Sequence, residues 1–270
     1  MQTSRMRTGR RLSAGEQGYL ASVSDLMAVL FFIVMIILVV FAVKTIRDNE
    51  RLEALEREKE EALAELRELN SNLQDARDVR AAFIAYIKEE MEKRGKTIVI
   101  DPNEGIFRLP ESVLFPSGGY MLNKDGVEAL TALGSILSGR LPCYSGLREP
   151  PAPPSECDDP AAFKPGRFDV ILIEGHTDSV NLSASHRLDD NLQLSAFRSW
   201  TTYNFLKEKY PELTGLKNSD GQYLFGVSGY GETRKIASND DEEGKSRNRR
   251  VDFRIVLAAP LLAKEPESSQ

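Results

Sequence analysis

The pattern of apolar and polar residues separates the chain into zones of different character. Leu26 to Val43 is an uninterrupted run of 18 apolar residues, and a helix of that length rises about 27 Å, close to the hydrocarbon thickness of a bilayer. The pattern therefore predicts a transmembrane helix over 19–43, preceded by a basic tail over 1–18. A cleaved signal peptide is the alternative, but the run is long for one and "VVFAVKTIR" offers no small-x-small cleavage site.

The next zone, 44–94, is highly charged but keeps a periodic apolar stripe. Alternating steps of three and four residues from Leu52 to Ile87 give eleven positions, of which nine are apolar. This spacing is typical of a coiled-coil seam. It predicts a helical rod over 44–94 that pairs with a second copy of the chain as a homodimer. A single solvated helix with many i,i+4 ion pairs is the alternative.

From residue 95 to 259, short strand patterns alternate with amphipathic helices. Strands are predicted in "TIVIDPNEGIFRLP", "FDVILIEGHTD", "YLFGVSGYGE" and "RRVDFRIVLA", and helices in "KDGVEALTALGSIL" and "DNLQLSAFRSWTTYNFLKEKY". The predicted fold class is α+β: a single transmembrane helix, a long coiled-coil helix, and an α/β sandwich domain with helices on one side of a sheet. Residues 260–270 are polar and predict a disordered tail.

Composition and motifs argue against several classes of function. The net charge of −6 disfavours a general nucleic-acid binder, which normally displays a basic face. No grouping of serine, cysteine and histidine favours nucleophilic catalysis, so an enzyme is not predicted. His176 and His186 lack acidic or cysteine partners at ligand spacing, and neither a metal site nor a cofactor is predicted.

The two cysteines bear on the compartment. Cys143 and Cys157 lie 14 residues apart in the proline-rich stretch "LPCYSGLREPPAPPSECDDP", and a disulfide between them fits an oxidising compartment such as the periplasm. Two reduced thiols are the alternative. Basic residues lie on both sides of the apolar run, so counting charges does not decide the orientation. A short arginine tail is easily retained, which favours a cytoplasmic N-terminus and a periplasmic C-terminal domain at the bacterial inner membrane.

Four separated motifs carry a family resemblance: "IEGHTDS", "LQLSAFRSW", "VSGYGE" and "KSRNRRVDFRI". In this order, over about Lys96 to Leu257, they resemble the OmpA-like peptidoglycan-binding domain. The resemblance implies that Asp178 and Arg198 hold the diaminopimelate residue of a peptidoglycan stem peptide. Opposite charges suit the ammonium and carboxylate on one carbon of this ligand. The resemblance also implies four further pocket residues: Thr177, Asn191, Leu194 and Arg249.

Two features depart from the simplest pattern of that family. The loop over 179–190 between the two charged residues is lengthened, and so is the segment between the cysteines. These departures bear on the fine structure of the ligand site more than on the fold. For the charged residues themselves, a loop cap at Asp178 and a surface ion pair at Arg198 are the structural alternatives.

Asp25 is a carboxylate at the start of the apolar run. An apolar span with an acid at its start, a rod and a peptidoglycan-binding domain together resemble the B subunits of ion-driven motor stators, the MotB family. This resemblance implies that Asp25 carries the ion, because burial among helices disfavours a charged carboxylate and lets it bind and release a proton. The alternative is an acid in the first turn of the membrane helix, where the helix dipole favours an anion and the side chain reaches water.

The sequence around Asp25 and the rod that follows the span indicate a more specific resemblance. "SVSDLMAVLFFI" with a rod directly attached is more similar to the ZorB family of the Zorya anti-phage defence systems than to flagellar stators, whose span carries an Ala-Asp-Phe motif. The resemblance implies a proton-driven motor in phage defence, with a pentameric ZorA-like membrane subunit around two copies of this chain. A flagellar-type stator, and a static tether between membrane and peptidoglycan without ion conduction, are the alternatives.

Overall fold

The computed structural model describes residues 14–146, 157, 163–180, 182 and 190–259, with side chains from residue 22 onward. The chain forms two compact units, Met1–Arg67 and Glu68–Gln270, and each is described by itself. The predicted tail over 260–270, most of the basic tail over 1–18 and most of the lengthened loop over 179–190 lie outside the described residues.

Helix α1, Ala14–Lys93, provides the described part of the first unit. Among the described residues, one helix is long and apolar enough to cross a membrane by length and composition, and none of its apolar window is buried within the chain. A helix that is apolar all round satisfies its own backbone hydrogen bonds, so its outer surface can face lipid or other apolar helices. The predicted order of one long apolar helix followed by a mixed α/β domain is confirmed.

The C-terminal part of α1 belongs to the second unit. Phe83, Ile84, Ile87 and Met91 are buried in the hydrophobic core of the domain. The structure thus separates its two units between Arg67 and Glu68, earlier than the predicted boundary at 94/95. Phe83 and Ile87 were assigned by their spacing to a seam between two chains, and here they pack within one chain. Periodicity reports which face of a helix is apolar, not what covers it.

The domain is built on one five-stranded sheet in the order β1-β2-β5-β3-β4. Neighbouring strands are antiparallel except β3 and β4, which are parallel. The strands are β1 Val99–Asp101, β2 Ile106–Pro110, β3 Phe168–His176, β4 Phe225–Gly229 and β5 Arg250–Leu257. Within the described residues, the α-helices that follow α1 are α2 Glu111–Leu114, α3 Lys124–Arg140, α4 Asn191–Lys209, α5 Pro211–Thr214 and α6 Glu242–Asn248.

Alternation along the central strands gives the sheet an apolar and a charged face. Ile171 and Ile173 of β3 and Phe253 of β5 join the core, together with Leu133 of α3 and Leu206 of α4. On the opposite face of β3 and β5, the side chains near the carboxyl end of β3 are charged. The apolar face therefore fixes α4 against β3, and that contact places the site described below.

The two cysteines form a disulfide in the structure. Cys143 ends a short 3-10 helix, Leu141–Cys143, and its Cα lies 5.6 Å from that of Cys157. Both half-cystines are buried and belong to the core. The bond therefore ties the proline-rich segment to the domain at a buried point.

Candidate functional site

A cleft of about 410 Å³ opens where β3 ends and α4 begins. It brings together all six residues that the sequence predicted for the peptidoglycan site: Thr177, Asp178, Asn191, Leu194, Arg198 and Arg249. Two of them directly follow β3, three lie on α4 and one directly follows α6. The cleft is thus assembled from three segments that the sheet holds side by side.

Close packing of backbone on backbone fixes this arrangement. A Cβ atom added at Gly175 would lie 1.9 Å from the carbonyl oxygen of Ser195 in α4, so no other residue permits this approach. The Ser195 hydroxyl accepts a hydrogen bond from the Gly231 amide at 2.8 Å. The carbonyl of Gly231 in turn accepts from the Thr177 amide at 2.9 Å. Thr177 and the residue after it are therefore held against the first turns of α4.

The two arginines of the cleft are engaged by groups of the chain itself. Arg198 is only 1% exposed. Its Nε donates to the carbonyl oxygen of Gly119 at 2.9 Å, and its Nη2 donates to Oε1 of Glu111. Arg249 lies 3.1 Å from Oε2 of Glu111 through Nε and donates to Oδ2 of Asp178 at 2.5 Å through Nη1. One continuous chain of ion pairs therefore links both arginines with two carboxylates.

Glu111 is the one residue of these ion pairs that the sequence did not predict. It is the first residue of α2, is 5% exposed and donates its backbone amide to the carbonyl of Arg249 at 3.0 Å. Burial raises the pKa of Glu111, although Arg198 and Arg249 oppose that rise. Burial likewise lowers the pKa of Arg198, against the effect of Glu111. An acid at the start of a short helix is common, so the sequence carried no signal specific to this role.

The two alternatives for the charged residues can now be compared with the geometry. Asp178 does act in its loop, because Oδ1 accepts from the Val180 amide at 3.0 Å, while Oδ2 stays on Arg249. Arg198 does not form a surface ion pair, because it is buried. Asn191 secures the loop by donating to the carbonyls of Asp178 at 3.2 Å and Val180 at 3.0 Å.

The cleft atoms that take no part in the contacts above indicate which kind of ligand the cleft can bind. Thr177 Oγ1 is buried and has no hydrogen-bond partner within the described residues. Leu194 contributes a buried apolar wall. Arg249 is the more accessible arginine, with 27% of its side chain exposed, and its Nη2 also reaches Oε1 of Glu242 at 2.5 Å. Such a set suits a small zwitterionic ligand with an aliphatic part.

A second charged cluster lies on the polar face of the sheet. Glu174, His176 and Asp252 place ligand atoms within 4.8 Å of one another, as a metal site would. Arginines already pair both carboxylates: Arg254 Nε lies 3.0 Å from Glu174, and Arg250 Nε lies 3.0 Å from Asp252. Burial and these arginines lower the pKa of His176 to about 3, so the imidazole is neutral. A cation would enter against this positive field, and the cluster is better described as a buried ion-pair network.

Asp25 lies in α1 in the first unit, directly before the apolar run, and its side chain is exposed. Its predicted role concerns a helix bundle formed with other chains, and these are absent from the single chain described here.

The chain thus combines one membrane-type helix with an α+β domain that carries a charged cleft. It is 27% identical over 155 residues to Motility protein B of Bacillus subtilis, covering 57% of this chain and 46% of that protein. It is also 27% identical over 172 residues to the uncharacterized protein YtxE of the same organism, covering 63% and 55%. The chain spans about half the length of these curated relatives. No family model matches it.

Partial likenesses to solved structures accompany these relatives. A MotB-like protein from Desulfovibrio vulgaris aligns with a TM-score of 0.49 and 22% identity, over 67% of this chain and 93% of that one. The cell wall anchor of the T6SS from Pseudomonas aeruginosa aligns with a TM-score of 0.44 and 16% identity, over 65% and 97%. The periplasmic domain of Helicobacter pylori MotB aligns with a TM-score of 0.40 and 22% identity, over 57% and 76%.

Proposed function

We propose that this chain is the peptidoglycan-anchored B subunit of a stator-type motor and that its cleft holds the diaminopimelate residue of a stem peptide. The observation that carries the proposal is the convergence of the six predicted residues on one cleft that contains both an acid and two arginines. The sequence similarity to Motility protein B supports the same class.

The chemistry of the ligand matches the cleft in three respects. Asp178 offers a carboxylate for the ammonium, and Arg198 and Arg249 offer guanidinium groups for the carboxylate on the same carbon. Leu194 lies where the aliphatic chain of the ligand can pack. Thr177 Oγ1 supplies a buried hydroxyl that has no partner among the described residues. Diaminopimelate differs from lysine by one carboxylate, so the arginines supply the discrimination between the two.

Binding of intact peptidoglycan tests this proposal. The full chain in detergent should sediment with diaminopimelate-type sacculi and should bind lysine-type sacculi at least tenfold more weakly, because lysine lacks the carboxylate that the arginines would bind. Asp178→Ala should abolish sedimentation. Asp220→Asn is the matched control, since Asp220 is an exposed aspartate outside the cleft. Equal binding of both types of sacculi would contradict the assignment.

The proposal extends to the membrane unit. Asp25 carries a proton at the start of the apolar helix of a proton-driven inner-membrane motor, because a carboxylate held among apolar helices is costly unless it is functional. The N-terminus lies in the cytoplasm and the domain in the periplasm, where the disulfide between Cys143 and Cys157 is favoured. In the finer form of the proposal, a pentameric ZorA-like subunit surrounds two copies of this chain, and the motor acts in anti-phage defence.

Self-association is proposed for the part of the rod outside the domain. Leu52, Leu55 and Leu66 are exposed apolar residues at seam spacing and can be covered by the same residues of a second copy. Phe83 and Ile87 are already buried by the domain. The proposed homodimer seam therefore lies before Ala76, the first residue of the stripe that is buried.

Phage plating distinguishes the motor from its alternatives. In the native operon, Asp25→Asn and Asp178→Ala should each remove phage resistance, whereas Asp48→Asn, on the same helix beyond the span, should retain it. Rescue of motility in place of phage resistance would identify a flagellar-type stator. Full resistance with Asp25→Asn would leave only a static tether.

A further inference from the structure

The carboxylate of Glu111 occupies the cleft in the way that a ligand carboxylate would. Each of its oxygens engages one arginine: Oε1 accepts from Nη2 of Arg198, and Oε2 lies 3.1 Å from Nε of Arg249. A planar carboxylate bridging two guanidinium groups is the contact by which proteins bind carboxylate ligands. Here the protein supplies that carboxylate itself, at a distance of 87 residues along the chain from Arg198.

We propose that Glu111 is an internal anion that holds the arginine pair in the empty cleft and gives it up, by taking a proton, when the carboxylate of diaminopimelate binds. This inference rests on the proposed function. It makes the arginines of the cleft a shared site with two alternative occupants, one built into the chain and one on the ligand.

The charges around Glu111 explain why a proton is needed. Arg198 on α4 and Arg249 after α6 face it, and Asp178 from the loop after β3 lies close enough to interact through its charge. Glu242 reaches Arg249 from the open side, with 74% of its side chain exposed. A ligand carboxylate added to this pair would share the arginines with Glu111. Two carboxylates that share one buried site cannot both stay ionised without a large cost, and one of them takes a proton.

Of the carboxylates in the cleft, Glu111 is the one that takes up the proton most easily. It is more buried than Glu242, and burial raises its pKa. Asp178 is committed to the ammonium of the ligand, with which its carboxylate can form a charge-assisted hydrogen bond. The α-carboxylate of an amino acid has an intrinsically low pKa, about 3.5. The neutral form of Glu111 also gains an O–H donor that can face the ligand carboxylate.

Calorimetry of the full chain measures the proton directly. The probe is the soluble stem tripeptide L-Ala-γ-D-Glu-meso-diaminopimelate, titrated in detergent at pH 7.5 in buffers of different ionisation enthalpy. The wild type should take up close to one proton per tripeptide bound. Its affinity should rise by up to about tenfold for each unit of pH decrease, until Glu111 is protonated in the empty cleft as well. Binding without proton uptake and with a flat pH profile overturns the inference.

Variants assign the proton to a residue. Glu111→Gln removes the internal anion, so it should bind the tripeptide at least fivefold more tightly than the wild type at pH 7.5 and take up no proton. Glu242→Gln is the matched control, because it removes an exposed carboxylate from the same Arg249 and should leave proton uptake unchanged. Weaker binding by a folded Glu111→Gln would show that Glu111 only positions Arg198, and would overturn the inference.

Two further outcomes are distinguishable. If Glu111→Gln does not fold, as judged by circular dichroism, the proton uptake and pH profile of the wild type and of Glu242→Gln decide the matter. If the wild type binds neither the tripeptide nor diaminopimelate-type sacculi, the proposed function fails, and this inference fails with it. Failure of the inference alone leaves tripeptide binding intact and removes only its coupling to a proton.

Discussion

The domain holds two charged clusters of similar composition at the same end of β3, and they differ in what they leave open. In the cleft, Glu111 and Asp178 pair with two arginines around a cavity of about 410 Å³. On the polar face of the sheet, Glu174 and Asp252 also pair with arginines, but around a neutral His176. Buried ion pairs alone therefore do not mark a binding site. A site also needs space beside the charges and partners that can be exchanged.

The largest expected effect concerns the closed cluster. Asp252→Ala should lower the free energy of unfolding by about 3–5 kcal/mol, because it leaves the buried Arg250 without its carboxylate. Urea unfolding followed by circular dichroism measures the loss, with Asp220→Asn as the exposed control. The folded fraction should still bind sacculi. A change below about 0.5 kcal/mol, the size expected of an ordinary surface substitution, would show that the cluster does not stabilise the domain.

The corresponding change in the open cluster should affect binding instead of stability. Asp178→Asn keeps the shape of the side chain and its loop acceptor but removes the charge that faces the ligand ammonium. We expect the affinity for the stem tripeptide to fall about 30-fold or more, about 2 kcal/mol, as for the loss of one member of a buried charge pair. The free energy of unfolding should change by less than half as much. If stability falls more than affinity, the two clusters do not differ in the way described.

The sequence predicted one of these clusters far better than the other. The resemblance to the OmpA-like domain implied the six residues of the cleft, because five of them lie within the motifs that carry it and Asn191 directly precedes one of these motifs. Glu111 escaped prediction because its role depends on contacts with Arg198 and Arg249, which lie far away in sequence. The contact between His176 and Asp252 was not visible in the sequence, because Asp252 lies on another strand of the sheet.

The boundary of the domain also depends on contacts between residues that are far apart in sequence. The stripe of apolar residues in α1 was visible in the sequence, including Phe83 and Ile87. Whether a second helix or the sheet of the same chain covers that stripe depends on tertiary contacts. The strands and helices of the domain were predicted more accurately, because alternation and helical periodicity are local properties.

The pH dependence of stability gives the next prediction, which is of intermediate size. The folded-state pKa of His176 is lowered to about 3, against about 6.5 in the unfolded chain. The unfolded state therefore binds the proton first as pH falls, and this group costs stability progressively between pH 6.5 and 3. The slope is at most about 1.4 kcal/mol per pH unit. His176→Gln should reduce the pH dependence of urea unfolding by that amount. An unchanged slope would mean that His176 is not kept neutral by its surroundings.

The smallest expected effect concerns the buried polar atoms that have no hydrogen-bond partner in each cluster. Thr177 Oγ1 in the cleft and both ring nitrogens of His176 behind it are buried without hydrogen-bond partners among the described residues. Thr177→Val keeps the shape and removes the hydroxyl. Because a buried hydroxyl without a partner is unfavourable, the empty domain should be as stable as the wild type or up to about 1 kcal/mol more stable. Unfolding in urea without ligand measures this.

With ligand, the same substitution should have the opposite sign. A ligand that hydrogen-bonds Thr177 Oγ1 loses that bond in Thr177→Val, so the affinity for the stem tripeptide should fall about fivefold, about 1 kcal/mol. Thr201→Val is the matched control, since Thr201 Oγ1 is also buried and unpartnered among the described residues but lies outside the cleft lining. Equal affinities for wild type and Thr177→Val would assign the unpartnered hydroxyl to packing. A loss of affinity in Thr177→Val but not in Thr201→Val would show that the Thr177 hydroxyl binds the ligand. Removing that one hydroxyl would then raise or preserve stability while it lowers affinity.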